Sequence, residues 1–247
     1  MPFTPAHPAV LLPARLFPKK YISWTALLIG SMVPDMEYFL FMTPASRISH
    51  TLYGILNFNL PVTLLLAMAW HQFAGPIILR AIPFAKSFYT TLHQDYAGWL
   101  AKNWHIFLGS AMIGILSHLF LDGLCHREGF LVQRIPYLQQ PAPVLGIYIY
   151  RCYALWYFLS FAGLIIMTFA TIDFKKLADK YSWLQVWSMR GFILRVIFVA
   201  LAIACVRILF GLKWNVVRHL IMILLGSFLY SGIAVTFYER YMRKVSR

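Results

Sequence analysis

His118 and Asp122 stand four residues apart, and His126 follows after another four. Residues at i and i+4 lie one above the other on one face of an α-helix. The spacing therefore sets an imidazole, a carboxylate and a second imidazole in one row, provided the helix runs on through Gly123. The preceding segment, 106–116, carries no charge. An ionisable group at the end of such a lipid-soluble run is costly and is read as functional, with partners elsewhere in the chain. His7, Asp35 (after Pro34) and His50 are those partners, giving six candidate metal ligands: His7, Asp35, His50, His118, Asp122 and His126. Imidazole with carboxylate suits Zn²⁺, or a harder ion such as Mn²⁺ or Fe²⁺. The set exceeds the four ligands of a single structural zinc site, so one or two ions can be accommodated. Glu37 and Glu128, beside the motifs, are candidate general bases, and Arg47 and Arg127 candidate anion-binding residues. Taken alone, each motif has a plainer reading: His118 with Asp122 as a hydrogen-bonded packing pair, Pro34-Asp35 as a turn. His71, His93, His105 and His219 lack a carboxylate on a matching face and read as interfacial or loop histidines.

The elements that must position these residues are membrane helices. Of the 247 residues, 60% are hydrophobic and 12% charged, far from the soluble norm. Four of the eight acidic residues, Asp35, Glu37, Asp122 and Glu128, lie in or beside the Pro-Asp and His-x-x-x-Asp motifs. The net charge of +14 is spread over the loops. It reads as orienting the protein and attracting anionic headgroups, and not as the clustered basic face that nucleic acid requires. Cys125, Cys152 and Cys205 form no C-x-x-C pair and say little about compartment.

The opening, 1–13, has no positive charge before its first apolar residues and no small-residue cleavage site, so it reads as retained and not as a signal peptide. Thr4-Pro5 and His7-Pro8 suggest a helix entry, followed by a short helix to about Phe17. Residues 22–33 form a second short apolar piece ending at Pro34-Asp35. Both fall short of the ~20 residues that a full span requires, so they read as an antiparallel hairpin of two half-length helices that sets His7 opposite Asp35. Full spans are expected at 51–70, 106–122, 152–172, 191–212 and 220–238, with a polar connection over 71–105 and a proline-containing loop over 125–150. Ser110 and Gly114 continue the row of His118 and Asp122, so the row faces the bundle through a surface suited to close helix packing. The fold class expected is all-α: one polytopic membrane domain over 1–247, with the metal motifs in 1–150 and additional helices in 151–247.

Lys and Arg then orient the chain. Fourteen fall on one set of alternate connections: Arg15, Lys19, Lys20, Arg80, Lys86, Lys102, Lys175, Lys176, Lys180, Arg190, Arg240, Arg243, Lys244 and Arg247. Six fall on the other: Arg47, Arg127, Arg134, Arg151, Lys213 and Arg218. The positive-inside rule makes the first set cytoplasmic. Asp35, His50, His118, Asp122 and His126, with His7, then share one depth near the outer surface. That shared depth favours a ligand set over isolated packing features.

Met1-Pro-Phe-Thr-Pro-Ala-His7, Gly30-Ser-Met-Val-Pro34-Asp35, Ser49-His50-Thr, and Ser117-His118-Leu-Phe-Leu-Asp122 with His126 and Gly129 resemble, in order and spacing, the bacterial membrane family known as domain of unknown function 4184. That family looks related to the YdjM-like inner-membrane proteins, classed as metal-dependent hydrolases. The resemblance is specific over 1–150 and thin beyond. It implies a multi-pass inner-membrane protein with a divalent metal bound by the shared His and Asp positions. More distantly, the His-x-x-x-Asp helix looks like the zinc-binding helices of phospholipase C and P1 nuclease, which implies phosphoester hydrolysis of a lipid or lipid-linked substrate. Two other classes remain open: a transporter or lipid-moving protein using the same groups for ions or protons, and a structural or regulatory protein whose metal ties the N-terminal hairpin down. A surface depth speaks against the transporter, whose site would lie near the midplane.

Overall fold

Proline decides where several helices of this chain tighten, widen or stop. The computed structural model describes residues 3–81, 92, 95–144, 146–179, 189–212 and 216–245. Lys86, His93, Lys180, Lys213 and Arg247 lie outside the described residues. The opening is a 3-10 helix, Thr4–Leu16, with Pro5 in its first turn and Pro8 and Pro13 inside it. Each proline lacks the N–H that an α-helical bond needs, so the segment keeps a tighter form than the α-helix expected. α1, Trp24–Gly30, starts at Ser23, whose hydroxyl accepts from the Ala26 N–H at 3.4 Å. A 3-10 turn, Val33–Asp35, then leads into α2, Met36–Leu40.

α3 is a continuous helical path, Leu52–Gly54, Leu60–Ala69 and Gly75–Ala81, joined by two π-turns at Ile55–Asn59 and Trp70–Ala74. Each π-turn ends two residues before a proline, Pro61 and Pro76. A proline clashes with the carbonyl four residues back, and the widened turn relieves that clash without ending the helix. The helix therefore passes Trp70, where the sequence suggested a stop. α4, Tyr96–Cys125, is bent at Asn103 (φ −123°, ψ 25°) and carries Trp99, Lys102 and Trp104 on helix, so the 71–105 connection is largely helical at both ends. The 125–150 loop holds α5, Phe130–Arg134, a 3-10 turn, Pro136–Gln139, and an antiparallel hairpin of β1, Pro141–Val144, and β2, Ile147–Tyr150. Pro141 and Pro143 argue against a strand by sequence, but a two-stranded ribbon leaves each strand a free edge that tolerates them. α6, Arg151–Thr171, α7, Phe174–Ala178, α8, Arg190–Leu209, and α9, Val216–Val245, complete the chain. Among the described residues the protein is all-α apart from the hairpin, and five helices there are long and apolar enough to cross a membrane: Leu52–Leu79, Tyr96–Cys125, Arg151–Thr171, Arg190–Leu209 and Val216–Glu239. It is a multi-pass membrane protein.

Packing divides the chain into two compact units, each assembled from three stretches: Met1–Pro34, Leu52–Leu64 and Asn103–Thr171 in the first, Asp35–Thr51, Leu65–Lys102 and Ile172–Arg247 in the second. In the first, small residues bring backbones together. A Cβ on Gly30 would stand 2.7 Å from the Ala111 carbonyl oxygen, and one on Gly114 would collide with the Leu27 carbonyl. The Ser23 N–H donates to Ser110 Oγ at 2.9 Å. The row of small residues read from the sequence is thus the face on which α1 lies against α4. The N-terminal 3-10 helix is seated on α6 in the same way. A Cβ on Gly163 would stand 2.7 Å from that of Ala6, and the Phe3 N–H donates to Ser160 Oγ at 3.0 Å. Gly114→Leu should therefore lower the thermal midpoint of the purified protein, because overpacking costs about 1–3 kcal/mol. Gly109→Leu, at a position with nothing within 4 Å of its Cβ, should not. Equal midpoints for the two variants would remove this account of the docking.

In the second unit α8 and α9 pack along each other, and α9 backs the segment 35–51. Gly226 faces the Phe39 carbonyl so closely that a side chain would collide with it. Tyr230 donates its hydroxyl to the Leu40 carbonyl at 2.7 Å, and His219 Nε2 lies 2.9 Å from the Met42 carbonyl. Met42 takes a left-handed backbone (φ 47°), which lets the chain turn out of α2 toward His50.

Candidate metal centre

α4 does what the spacing requires: it continues through Gly123, and the His126 N–H donates to the Asp122 carbonyl at 3.2 Å. His118 is fully buried, with its Nδ1–H donating to the Ser31 carbonyl at 2.7 Å. That bond exists because α1 sits flush on α4. It turns Nε2 toward Asp122, 3.8 Å from Oδ2. His126 Nε2 approaches the same oxygen at 3.9 Å. His7, buried to 1% exposure, stacks on His118 with centroids 3.8 Å apart and planes 13° from parallel, its Nε2 4.0 Å from Asp122 Oδ1. The hairpin reading set His7 opposite Asp35; within its own unit its neighbours are His118 and Asp122.

The three imidazole–carboxylate separations, 3.8, 3.9 and 4.0 Å, are too long for hydrogen bonds. Two donors that each stand about 2.0–2.2 Å from one cation are themselves roughly 3–4 Å apart. A carboxylate at 7% exposure facing three imidazoles has its negative charge buried, which is expensive unless a positive charge accompanies it. A metal-ligating histidine commonly gives its other ring N–H to a backbone carbonyl, as His118 gives its own to Ser31. By distance, burial and donor chemistry these residues fit a divalent ion.

In the second unit Asp35 is fully buried and His50 Nε2 lies 3.8 Å from its Oδ1. Asp35 with His50, like His118 with Asp122, is a carboxylate–imidazole pair close enough to share an ion. Glu37 has partners that its position in the sequence did not suggest. Its carboxylate accepts from the backbone N–H groups of Arg47 (2.7 Å), Ile48 (3.1 Å) and Ser49 (2.8 Å) and from the Ser46 hydroxyl (2.8 Å). Burial opposes ionisation, but these bonds outweigh it and hold the carboxyl at about 2. A group so weakly basic makes a poor proton acceptor near neutrality; Glu37 instead anchors the loop that ends in His50. Glu128 is exposed, as are Arg47 and Arg127. The Arg127 guanidinium lies 4.4 Å over the Tyr150 ring of β2.

Two histidines read as interfacial are helical and buried: His71 stacks on Tyr96 at 3.9 Å, and His219 bonds to Met42. His105 is exposed. Sequence reasoning missed Ser31, Ser46, Ser49, Ser160 and Gly163. Serines and a glycine near apolar runs are common, and only the Ser49-His50 adjacency offered a signal.

A multi-pass α-helical membrane protein with a buried His/Asp cluster compatible with metal binding is the class that fold and site define. The chain belongs to the family described as Domain of unknown function (DUF4184), which matches residues 1–238. The match extends over most of the last hundred residues, where the resemblance had looked thin. No curated protein and no solved structure matches the chain.

Proposed function

We propose that the protein is a membrane-bound metal-dependent hydrolase acting on a phosphoester or similar anionic bond of a membrane-associated substrate. The observation that supports this best is the His118 ring, fixed through Ser31 with Nε2 aimed at a buried carboxylate beside stacked His7. In the first unit His7, His118, Asp122 and His126 would hold a divalent ion, and in the second Asp35 and His50 are a further pair of candidate ligands, the ion being Zn²⁺ or alternatively Mn²⁺ or Fe²⁺, one or two in all. Such an ion supplies an acidified water and a Lewis acid. Exposed Glu128, two residues beyond His126, accepts the proton. Arg127, stacked by one face on Tyr150, and Arg47 offer guanidinium edges to the substrate anion. The site lies at the outer face of a bacterial inner membrane with the C-terminus in the cytoplasm, where a headgroup arrives without its charge crossing hydrocarbon.

Reporter fusions test the orientation: one at Lys86 and one after Arg247 should both report the cytoplasm, and external signals from both would reverse it. A panel of lipid phosphoesters presented to metal-loaded protein tests the chemistry. If a folded, metal-bearing wild type turns over no headgroup class, the cluster is a structural clasp for the N-terminal segment.

A further inference from the structure

We infer that Glu37 is a positioning residue that sets the tautomer of His50 through the hydroxyls of Ser46 and Ser49, so that Nε2 presents a lone pair toward Asp35. The inference deepens the metal reading and rests on it only for its metal-binding consequence; every contact used lies within the second unit.

The available protons decide the state of the ring. An ionised carboxylate only accepts hydrogen bonds, and a hydroxyl has one proton to give. Ser46 gives its proton to Glu37 Oε2 at 2.8 Å. Ser46 Oγ, its own proton spent, then accepts from the Ser49 hydroxyl at 2.9 Å. A carboxylate is the strongest acceptor within reach of Ser46. With both protons committed, the two serine oxygens can only accept. They stand 3.0 and 2.9 Å from His50 Nδ1, so the ring nitrogen must donate. A neutral imidazole carries one N–H. Once it is on Nδ1, Nε2 is a bare lone pair, and it stands 3.8 Å from Asp35 Oδ1.

Glu37 can impose this because it is itself held. It is 3% exposed and clamped by three successive backbone N–H groups, those of Arg47, Ile48 and Ser49. Consecutive N–H groups of this kind form an anion-binding nest. The charge thus fixes both the path of the loop and the direction of its hydroxyls. The outcome parallels His118, whose Nδ1–H is fixed by a backbone carbonyl. In His50 the same result is reached through two serines and a buried acid.

The test is ¹⁵N-histidine NMR on the purified full chain without added metal, with His50 assigned from the spectrum of His50→Gln. Wild type should show the proton on Nδ1. Glu37→Gln, and separately Ser46→Ala with Ser49→Ala, should move it toward Nε2 and weaken Zn²⁺ binding about 10- to 100-fold. The serine pair leaves the backbone bonds to Glu37 in place, so it carries the test even where Glu37→Gln fails to fold. A wild-type His50 protonated on Nε2, or folded variants that keep the wild-type tautomer, overturn the proposal. If wild type binds no Zn²⁺, the metal reading fails, while the tautomer result in metal-free protein still decides the role of Glu37.

Discussion

Asp122→Ala should strip bound metal from the purified protein, and His118→Ala should do the same. Three imidazoles approach Asp122, at 3.8, 3.9 and 4.0 Å, so its carboxylate is the group that all three would share with an ion. Structural zinc sites bind with about 10–16 kcal/mol over four ligands, which puts roughly 3 kcal/mol on each. Losing one ligand should then weaken affinity by about a hundredfold or more, since about 1.4 kcal/mol is tenfold. Elemental analysis, with competition against a chromophoric chelator, measures it. His105→Ala, an exposed histidine elsewhere on α4, is the control and should keep its metal. Stoichiometric metal in both Asp122→Ala and His118→Ala would place the ion elsewhere.

The second large effect is kinetic. On a lipid phosphoester that wild type hydrolyses, Asp122→Ala and chelated wild type should both lose turnover. Arg127→Ala should keep its metal and raise KM, because an anion clamp that binds substrate and transition state alike acts on binding alone. Glu128→Gln should instead lower kcat with KM nearly unchanged, by about 10²–10⁴-fold if it is the general base. Equal, small effects from Arg127→Ala and Glu128→Gln would separate the turn after His126 from the chemistry and leave the metal cluster without these helpers.

Much of this was legible in the residues. The i+4 row at 118, 122 and 126 gave the helix face, uncharged runs gave four of the five spans found among the described residues while 191–212 showed through despite Arg195 and Arg207, and Ser110 with Gly114 gave the packing side of α4. The failures share a physical cause. A proline reads as a stop, but Pro61 and Pro76 are absorbed by π-turns, and Pro141 and Pro143 sit in a ribbon with free edges. Glu37 was read by its neighbourhood in sequence, whereas its partners are three backbone N–H groups ten to twelve residues away. Backbone donors look the same in every sequence, so no residue type could have announced them.

The seat of the N-terminal segment also bears on how the protein is made. Phe3 is held by Ser160, 157 residues later, and Ala6 by Gly163. His7 thus leaves the ribosome ahead of the other candidate ligands, yet its support on α6 is synthesised long after it. Contacts so distant in sequence close late in folding. The first of these histidines to emerge is therefore not placed until α6 arrives, and during translation and insertion the proline-stiffened opening must wait for it, still undocked.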